Sequence, residues 1–360
     1  MTLDKDGKNL SYDFDELAIW RTKLPEVKYA ILPPSNNRPN PLVFDGLVFV
    51  SVFAPGAIRA LDRNTGMLVW RRELHKYASA AVHVANGTLF AQTPTSLHAL
   101  KPATGQTVWS FCPYGESGET MYSAPTIHEN SVFIGDRCGY LYCLDFQTGR
   151  ALWKQRTSEA KNCDLNSTPL VTNGMVVVGT NANMAAAYDA KTGNRIWLRE
   201  LDGPSLVGPL LSNSLSAVFA NSVYFLVPES GDVVRKFGWE GDSINHADCV
   251  GNDVLASIRP GSSIDGVTKL VRLSEHGARF TQTCEASAAS LIYANDTKMI
   301  YVSHIKGLEV RHSDDGAMAF NITRKEPEEI GAVDVKQHVI YAATGDGFVY
   351  ALKHPSIDKQ

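Results

Sequence analysis

The stretch Ala60–Trp70, ALDRNTGMLVW, decides the fold, because versions of it return along the chain. HALKPATGQTVW ends at Trp109, YCLDFQTGRALW at Trp153 and AAYDAKTGNRIW at Trp197. The glycines at 66, 105, 149 and 193 are separated by 39, 44 and 44 residues, a period that marks a repeat architecture. Within each unit a short apolar run ends at Asp or Lys, and Thr-Gly then supplies a hydroxyl and a residue tolerant of positive φ, which reads as hairpin punctuation. A Trp follows four places after every one of these glycines. Packing that indole against a neighbouring unit would take roughly 150–250 Å² of ring out of water.

Working outward, the first complete unit is PLVFDGLVFVSVFAPGAIRALDRNTGMLVW, and comparable units end at Trp109, Trp153 and Trp197. Each holds an apolar strand, an Asx/Gly-type turn such as Asn86-Gly87 or Asn173-Gly174, a Val-rich strand, a loop, the ALD strand and the Trp strand. Four antiparallel strands per unit describe a propeller blade. The later units keep the spacing but lose the motif: Arg235 stands at the fifth Trp position, His276-Gly277 marks the sixth turn, and Phe320 ends the seventh unit. AVDVKQHVIYAATGDGFVYAL, at 332–352, supplies three strands and stops, while an orphan strand around Trp20 opens the chain. The expected fold is therefore all-β, an eight-bladed β-propeller of four-stranded antiparallel blades over 41–353. It forms one domain, 1–360, with residues 12–24 closing the last blade against Phe348–Leu352. Closure removes the free sheet edge at the seam.

The A-[LY]-D-x-x-T-G-x-x-x-W signature at 60–70, near-perfect at 143–153 and 187–197 and looser at 99–109, resembles the tryptophan-docking motif of the PQQ-repeat (pyrroloquinoline-quinone-like) propellers. That resemblance implies two kinds of relative, quinoprotein alcohol dehydrogenases and cofactor-free scaffolds that help assemble bacterial outer-membrane proteins. The dehydrogenases it points to clamp the quinone with adjacent cysteines and hold calcium with Glu, Asn and Asp. The six cysteines here, at 112, 138, 143, 163, 249 and 284, include no adjacent pair, so neither cofactor nor metal is expected, and the cysteines read as structural thiols.

Composition narrows the partners. With 360 residues, 44% hydrophobic and 20% charged, and a formal net charge of −4, the chain carries no electrostatic footprint for nucleic acid. No run of about 18 apolar residues suggests a membrane span, and the opening MTLDKDGKNLSYDFDE lacks a basic and apolar leader. As given the chain reads as cytoplasmic, or as exported if a signal has been removed, and as a monomer. No GxSxG, HExxH, P-loop or GxGxxG motif occurs in a fitting context.

The loops entering each innermost strand should ring the mouth of the central channel. The favoured function is a binding or scaffold role there, toward a protein or a small polar ligand. Ligand- or partner-binding candidates are Tyr77, Arg137, Asn166, Asn183, Asn245, Asp248, Arg259 and His304. The alternative is a cofactor-independent lyase, cyclase or hydrolase using Arg38, Tyr122, Asp164 and His246, in which a His near carboxylates would serve as a general base. A diverged quinoprotein oxidoreductase is the second alternative.

Overall fold

The computed structural model describes residues 11–25, 41–52, 56–75, 82–113, 121, 123–158, 164–239, 242–259, 268–284, 290–304, 306–325, 330–331 and 333–355. They form eight sheets with the strand order of successive antiparallel meanders. Blades 1 to 7 begin innermost at Leu42–Phe44, His83–Ala85, Thr126–His128, Leu170–Thr172, Leu210–Ser212, Ser243–Val250 and Ser290–Ala294. They end outermost at Leu68–His75, Thr107–Phe111, Ala151–Arg156, Arg195–Glu200, Val233–Gly238, Gly277–Cys284 and Met318–Thr323. Blade 8 takes Asp334–Lys336, Val339–Ala343 and Phe348–Lys353 from the end of the chain and Ala18–Lys23 from its start.

The inner hairpins turn where the side chains permit it. Asn173 and Gly174 both adopt positive φ, at 48° and 71°, the combination required by a two-residue turn that follows the sheet twist. The repeated ALD turn is an Asx turn. Asp62 accepts from the Asn64 and Thr65 amides and the Thr65 hydroxyl, and Asp189 repeats the pattern with Lys191 and Thr192. The Thr65 hydroxyl bond leads the interactions that hold the Asp62 carboxyl below its ordinary range.

The apolar residues sort into eight clusters, each of which joins one pair of neighbouring blades. Phe49, Ile58 and Leu89 lie between blades 1 and 2; Val177, Ala187, Val218 and Leu226 between 4 and 5; Leu291, Val302, Leu255 and Leu270 between 6 and 7. The last cluster sets Trp20, Tyr341 and Val349 of blade 8 against Val48, Val50 and Leu61 of blade 1, which closes the ring.

The tryptophans work at these seams. Trp20, Trp70, Trp109, Trp153 and Trp197 each donate the indole N–H to the carbonyl just after the turn's first residue in the next blade, at Arg63, Pro102, Phe146, Ala190 and Pro228, over 2.6–3.0 Å. Each ring also lies flat on the next turn's glycine. A Cβ on Gly149 would stand 2.4 Å from Trp109 Cε3, so this glycine is required by contact as well as by its φ of +68°.

A feature hidden from periodicity places the indoles. In every blade the outermost strand carries a β-bulge whose skipped residue immediately precedes the Trp position: Ile19, Val69, Val108, Leu152, Ile196, Val234, Arg279 and Ala319. The extra residue bends the strand and locally raises its twist. The first six of these side chains are left about half exposed.

The degenerate blades keep the seam with other chemistry. Arg235 donates its Nε to Glu275 O at 3.3 Å, the carbonyl that corresponds to the indole acceptors. Between blades 6 and 7 Phe280 covers Gly316, and Arg272 Nη1 donates to Ser313 O at 2.6 Å. Trp239, outside the repeat register, packs against the cluster between blades 5 and 6.

The closing segment is shorter than the expected 12–24. Only Ala18–Lys23 pairs with Phe348–Leu352. Ser11–Asp13 instead adds a fifth, parallel strand to blade 7 against Asn321–Thr323, and the short helix Phe14–Leu17 crosses between the blades. Asp13 caps that helix by accepting from the Asp15 amide, and buried Phe14 packs edge-on to Tyr350, so the chain must turn before it can pair with blade 8.

Candidate functional site

The innermost strands of blades 3 to 6 enclose part of the central channel as a cavity of about 330 Å³. Leu170, Val171, Val207, Pro209 and Leu210 supply an apolar wall, and Asp248 brings the one carboxylate among the described lining residues. Thr126, Leu170, Leu210 and Asp248 occupy the same register position, two residues before the last paired residue of the inner strand. Of the nine candidates among the described residues, Asp248 alone lines this cavity.

Asp248 also links blades. Its oxygens accept from the Cys249 and Tyr293 amides, both at 2.8 Å, and Tyr293 lies on the inner strand of blade 7. Asp334, at the matching position of blade 8, accepts from the Val43 amide of blade 1 at 2.7 Å. Burial dominates the titration of both acids: it pushes Asp248 up to about 6 against the backbone hydrogen bonds and raises Asp334 in the same direction. Part of the Asp248 side chain still has accessible surface, on the cavity side.

Arg137 and Asp164 meet, Nε to Oδ2 at 3.2 Å, joining the loop between the second and third strands of blade 3 to the entry of blade 4. Backbone bonds carry this rim onward. Leu165 N donates to Asp136 O, Asn181 N to Asp164 O and Ser205 N to Thr180 O, over 2.9–3.1 Å. Asn183, in left-handed conformation at φ 58°, is exposed beside it, and the Leu201 amide donates to its carbonyl. Leu206 follows in the entry to blade 5, 52% exposed.

The remaining candidates are distributed. Asn166 is half-buried next to Ser167, whose hydroxyl donates to Gly179 O at 2.7 Å and accepts from its amide, clipping the blade; Ser123 does the same with Gly135. Asn245 sits at a bulge in the inner strand of blade 6, and His246 is buried opposite Ser257. Arg259 is exposed at the end of the second strand of that blade. His304 is buried in blade 7, with Nε2 3.9 Å from Glu309 Oε1 and Nδ1 accepting from the Lys306 amide. Arg38, Tyr77 and Tyr122 lie outside the described residues.

Among the described residues no three His, Cys, Asp or Glu side chains converge as metal ligands. Cys249 and Cys284 are free, and burial pushes both thiols up to about 12, which leaves them poor nucleophiles.

Entry-loop alignment missed the cavity wall and the buried pair Glu309–Arg311, with Nη2 to Oε2 at 2.7 Å. Counting back from the first hairpin turn, at Asn173 or Asn213, reaches the wall positions directly.

Two buried groups predict opposed pH dependences. Asp248 holds its proton to a higher pH when folded than its ordinary 3.8, so the stability it contributes below about pH 4 is lost as pH rises through 6. Burial, with a smaller effect of His338, lowers His354 to about 4. The folded protein therefore sheds a proton that the unfolded chain keeps below 6.5, and stability is lost as pH falls from 6.5 toward 4. Each shift amounts to about 3 kcal/mol. Asp248→Asn should remove the first slope and His354→Gln the second, so urea unfolding at stepped pH between 4 and 7 should give a flatter profile for the parent than for either variant.

Comparison with known proteins places this geometry. The family model described as outer membrane protein assembly factor BamB matches residues 94–354. A polyvinylalcohol dehydrogenase of a Pseudomonas species is 26% identical over 160 residues, 37% of this chain and 25% of that protein. The outer membrane protein assembly factor BamB of Legionella pneumophila (strain Paris) is 26% identical over 119 residues, 33% of this chain and 30% of the relative. The matched stretch thus spans under a third of either relative. Among solved structures, quinohemoprotein alcohol dehydrogenase from Comamonas testosteroni superposes with TM-score 0.68 at 13% identity, covering 93% of this chain and 76% of that one. At that identity the likeness is one of fold.

Proposed function

Because the chain belongs to the propeller family described as outer membrane protein assembly factor BamB, we propose that it is a binding scaffold that docks a partner protein on the rim over blades 3 to 5. The observation that carries this reading is the rim itself. Four loops are tied by successive backbone bonds at Asp136–Leu165, Asp164–Asn181 and Thr180–Ser205, and they present Arg137, Asn183 and an exposed Leu206. Such a surface loses little freedom on binding, and an apolar side chain ringed by polar ones suits the centre of a docking patch. Relatives named as outer membrane protein assembly factors make other components of that assembly the partner class. They also favour the exported placement; the cytoplasmic one finds no support among them.

The cavity at Asp248 suits a quinone poorly. Its described lining offers one carboxylate and no cation, whereas pyrroloquinoline quinone is a tricarboxylate that such a wall would repel.

The test is co-purification of the full chain with the outer-membrane assembly components of its host. Leu206→Asp should weaken capture by at least about tenfold with the melting temperature unchanged. Undiminished capture by that variant, or no co-purification by the parent, would overturn the reading.

A further inference from the structure

Asp248 is a half-buried acid for which the described residues supply no counter-charge. Four other well-placed acids have cations: Arg272 Nε is 2.8 Å from Asp253, Lys269 Nζ 3.1 Å from Asp242, Arg311 Nη2 2.7 Å from Glu309, and Arg324 Nη2 3.2 Å from Asp346, while fully buried Asp136 takes the Tyr142 hydroxyl on one oxygen and the Tyr140 amide on the other, at 2.8 and 2.9 Å. Even Asp334, at the equivalent register position, has Lys336 Nζ at 3.9 Å. Among the described residues no cation pairs with Asp248, whose two bonds both come from backbone amides. Each carboxylate oxygen can accept a second bond, and an ion in an apolar surround is costly unless paired.

The space beside it has a definite chemistry. Leu170, Val171, Val207, Pro209 and Leu210 line the cavity opposite the acid, at about 330 Å³, near the lower limit of small-molecule pockets. The wall matches a short alkyl chain, and the acid matches a positive end.

We propose that the channel cavity at Asp248 is a binding site for an alkylammonium group, carried by a small amine or by a lysine side chain reaching in from the channel mouth. The ammonium hydrogen-bonds the free acceptor positions of the carboxylate, and its methylene chain lies along the leucines. At neutral pH the acid is ionised, since its pKa of about 6 lies below, and a primary alkylamine is protonated. The inference goes beyond the scaffold role and stands or falls separately from it: Leu206→Asp should leave amine binding intact.

The experiment is calorimetric and saturation-transfer NMR titration of the full chain at neutral pH with n-pentylammonium, n-pentanol and pentanoate. The ammonium should saturate one site, the alcohol should bind at least about tenfold more weakly, and the carboxylate should not bind. Leu210→Trp, which fills the cavity and keeps the acid, should abolish ammonium binding. Asp248→Asn should do the same where melting shows it folded. A peptide with one lysine, set against its norleucine counterpart, separates the sources: lysine-dependent binding assigns the site to a partner's side chain, and binding of free amine alone assigns it to a small molecule. Equal affinity for ammonium and alcohol, ammonium binding that survives Leu210→Trp, or no saturation in the millimolar range would overturn the proposal.

Discussion

Trp20→Ala should lower the unfolding free energy by about 3–5 kcal/mol, the range for truncating a buried large aromatic residue. Trp20 is 9% exposed and does three things at the seam between the chain's two ends. Its indole N–H donates to Arg63 O at 2.8 Å, its ring covers Gly66, and its strand pairs with Phe348–Leu352. The two ends meet inside blade 8, where Ala18–Lys23 pairs with Phe348–Leu352, and the ring is held shut by that pairing, by the indole and the cluster around it, and by the Arg63–Tyr341 and Asp334–Val43 bonds to blade 1. Urea unfolding of the variant checks the expectation, with Ile19→Ala as control. Ile19 is the neighbouring bulge residue, 55% exposed, and its loss should cost under about 0.5 kcal/mol. Trp153 retains more exposure than Trp20, so Trp153→Ala should cost less. Equal costs for Trp20→Ala and Ile19→Ala would refute the role given to the closing indole.

Arg311→Met is the second large effect, about 3–5 kcal/mol, because it strands a buried carboxylate. The guanidinium side chain is 6% exposed and its Glu309 partner 3%. Nε and Nη2 donate to Glu309 Oε2 at 2.9 and 2.7 Å, Nη1 to Gly316 O at 2.9 Å, and Nη2 also to Thr283 O at 2.9 Å. Thr283 belongs to the outer strand of blade 6, so the arginine fastens two blades where Phe280 lacks an indole's donor. Replacing both charges removes the uncompensated ion, and Glu309→Leu/Arg311→Met should recover most of the loss. A double variant as unstable as the single one would show that the cost lies in the lost inter-blade bonds instead.

The repeat was legible because its parts are local. An Asp-x-x-Thr-Gly turn forms from hydrogen bonds within four residues, and alternation along a strand needs no knowledge of the partner strand. Blade number and closure followed from counting strands. The bulge before each Trp was not legible, since a two-for-one pairing is a relation between two strands and leaves no mark in one. The substitutes in the later blades were equally hidden. Arg235 carries the indole's hydrogen bond without its ring, while Phe280 keeps the ring and leaves the bond to Arg272, a residue of another strand.

For the site, the sequence put Asp248 in an entry loop at the channel mouth, whereas it stands near the end of the inner strand Ser243–Val250; the sequence also put Arg137 and Asp164 on one face. It could not say that the latter two pair with each other, or that His304 turns into blade 7 beside Glu309. By itself the sequence determined a ring of eight four-stranded blades with an indole wedge at five seams, because those features rest on turn chemistry and strand period. Only the tertiary structure decided which acids have a counter-charge and which face open space. Those properties depend on which side chains strand pairing and blade packing bring together, as with Asp253 and Arg272 inside blade 6 or Arg324 of blade 7 and Asp346 of blade 8, where burial and distance, rather than residue type, set the energy.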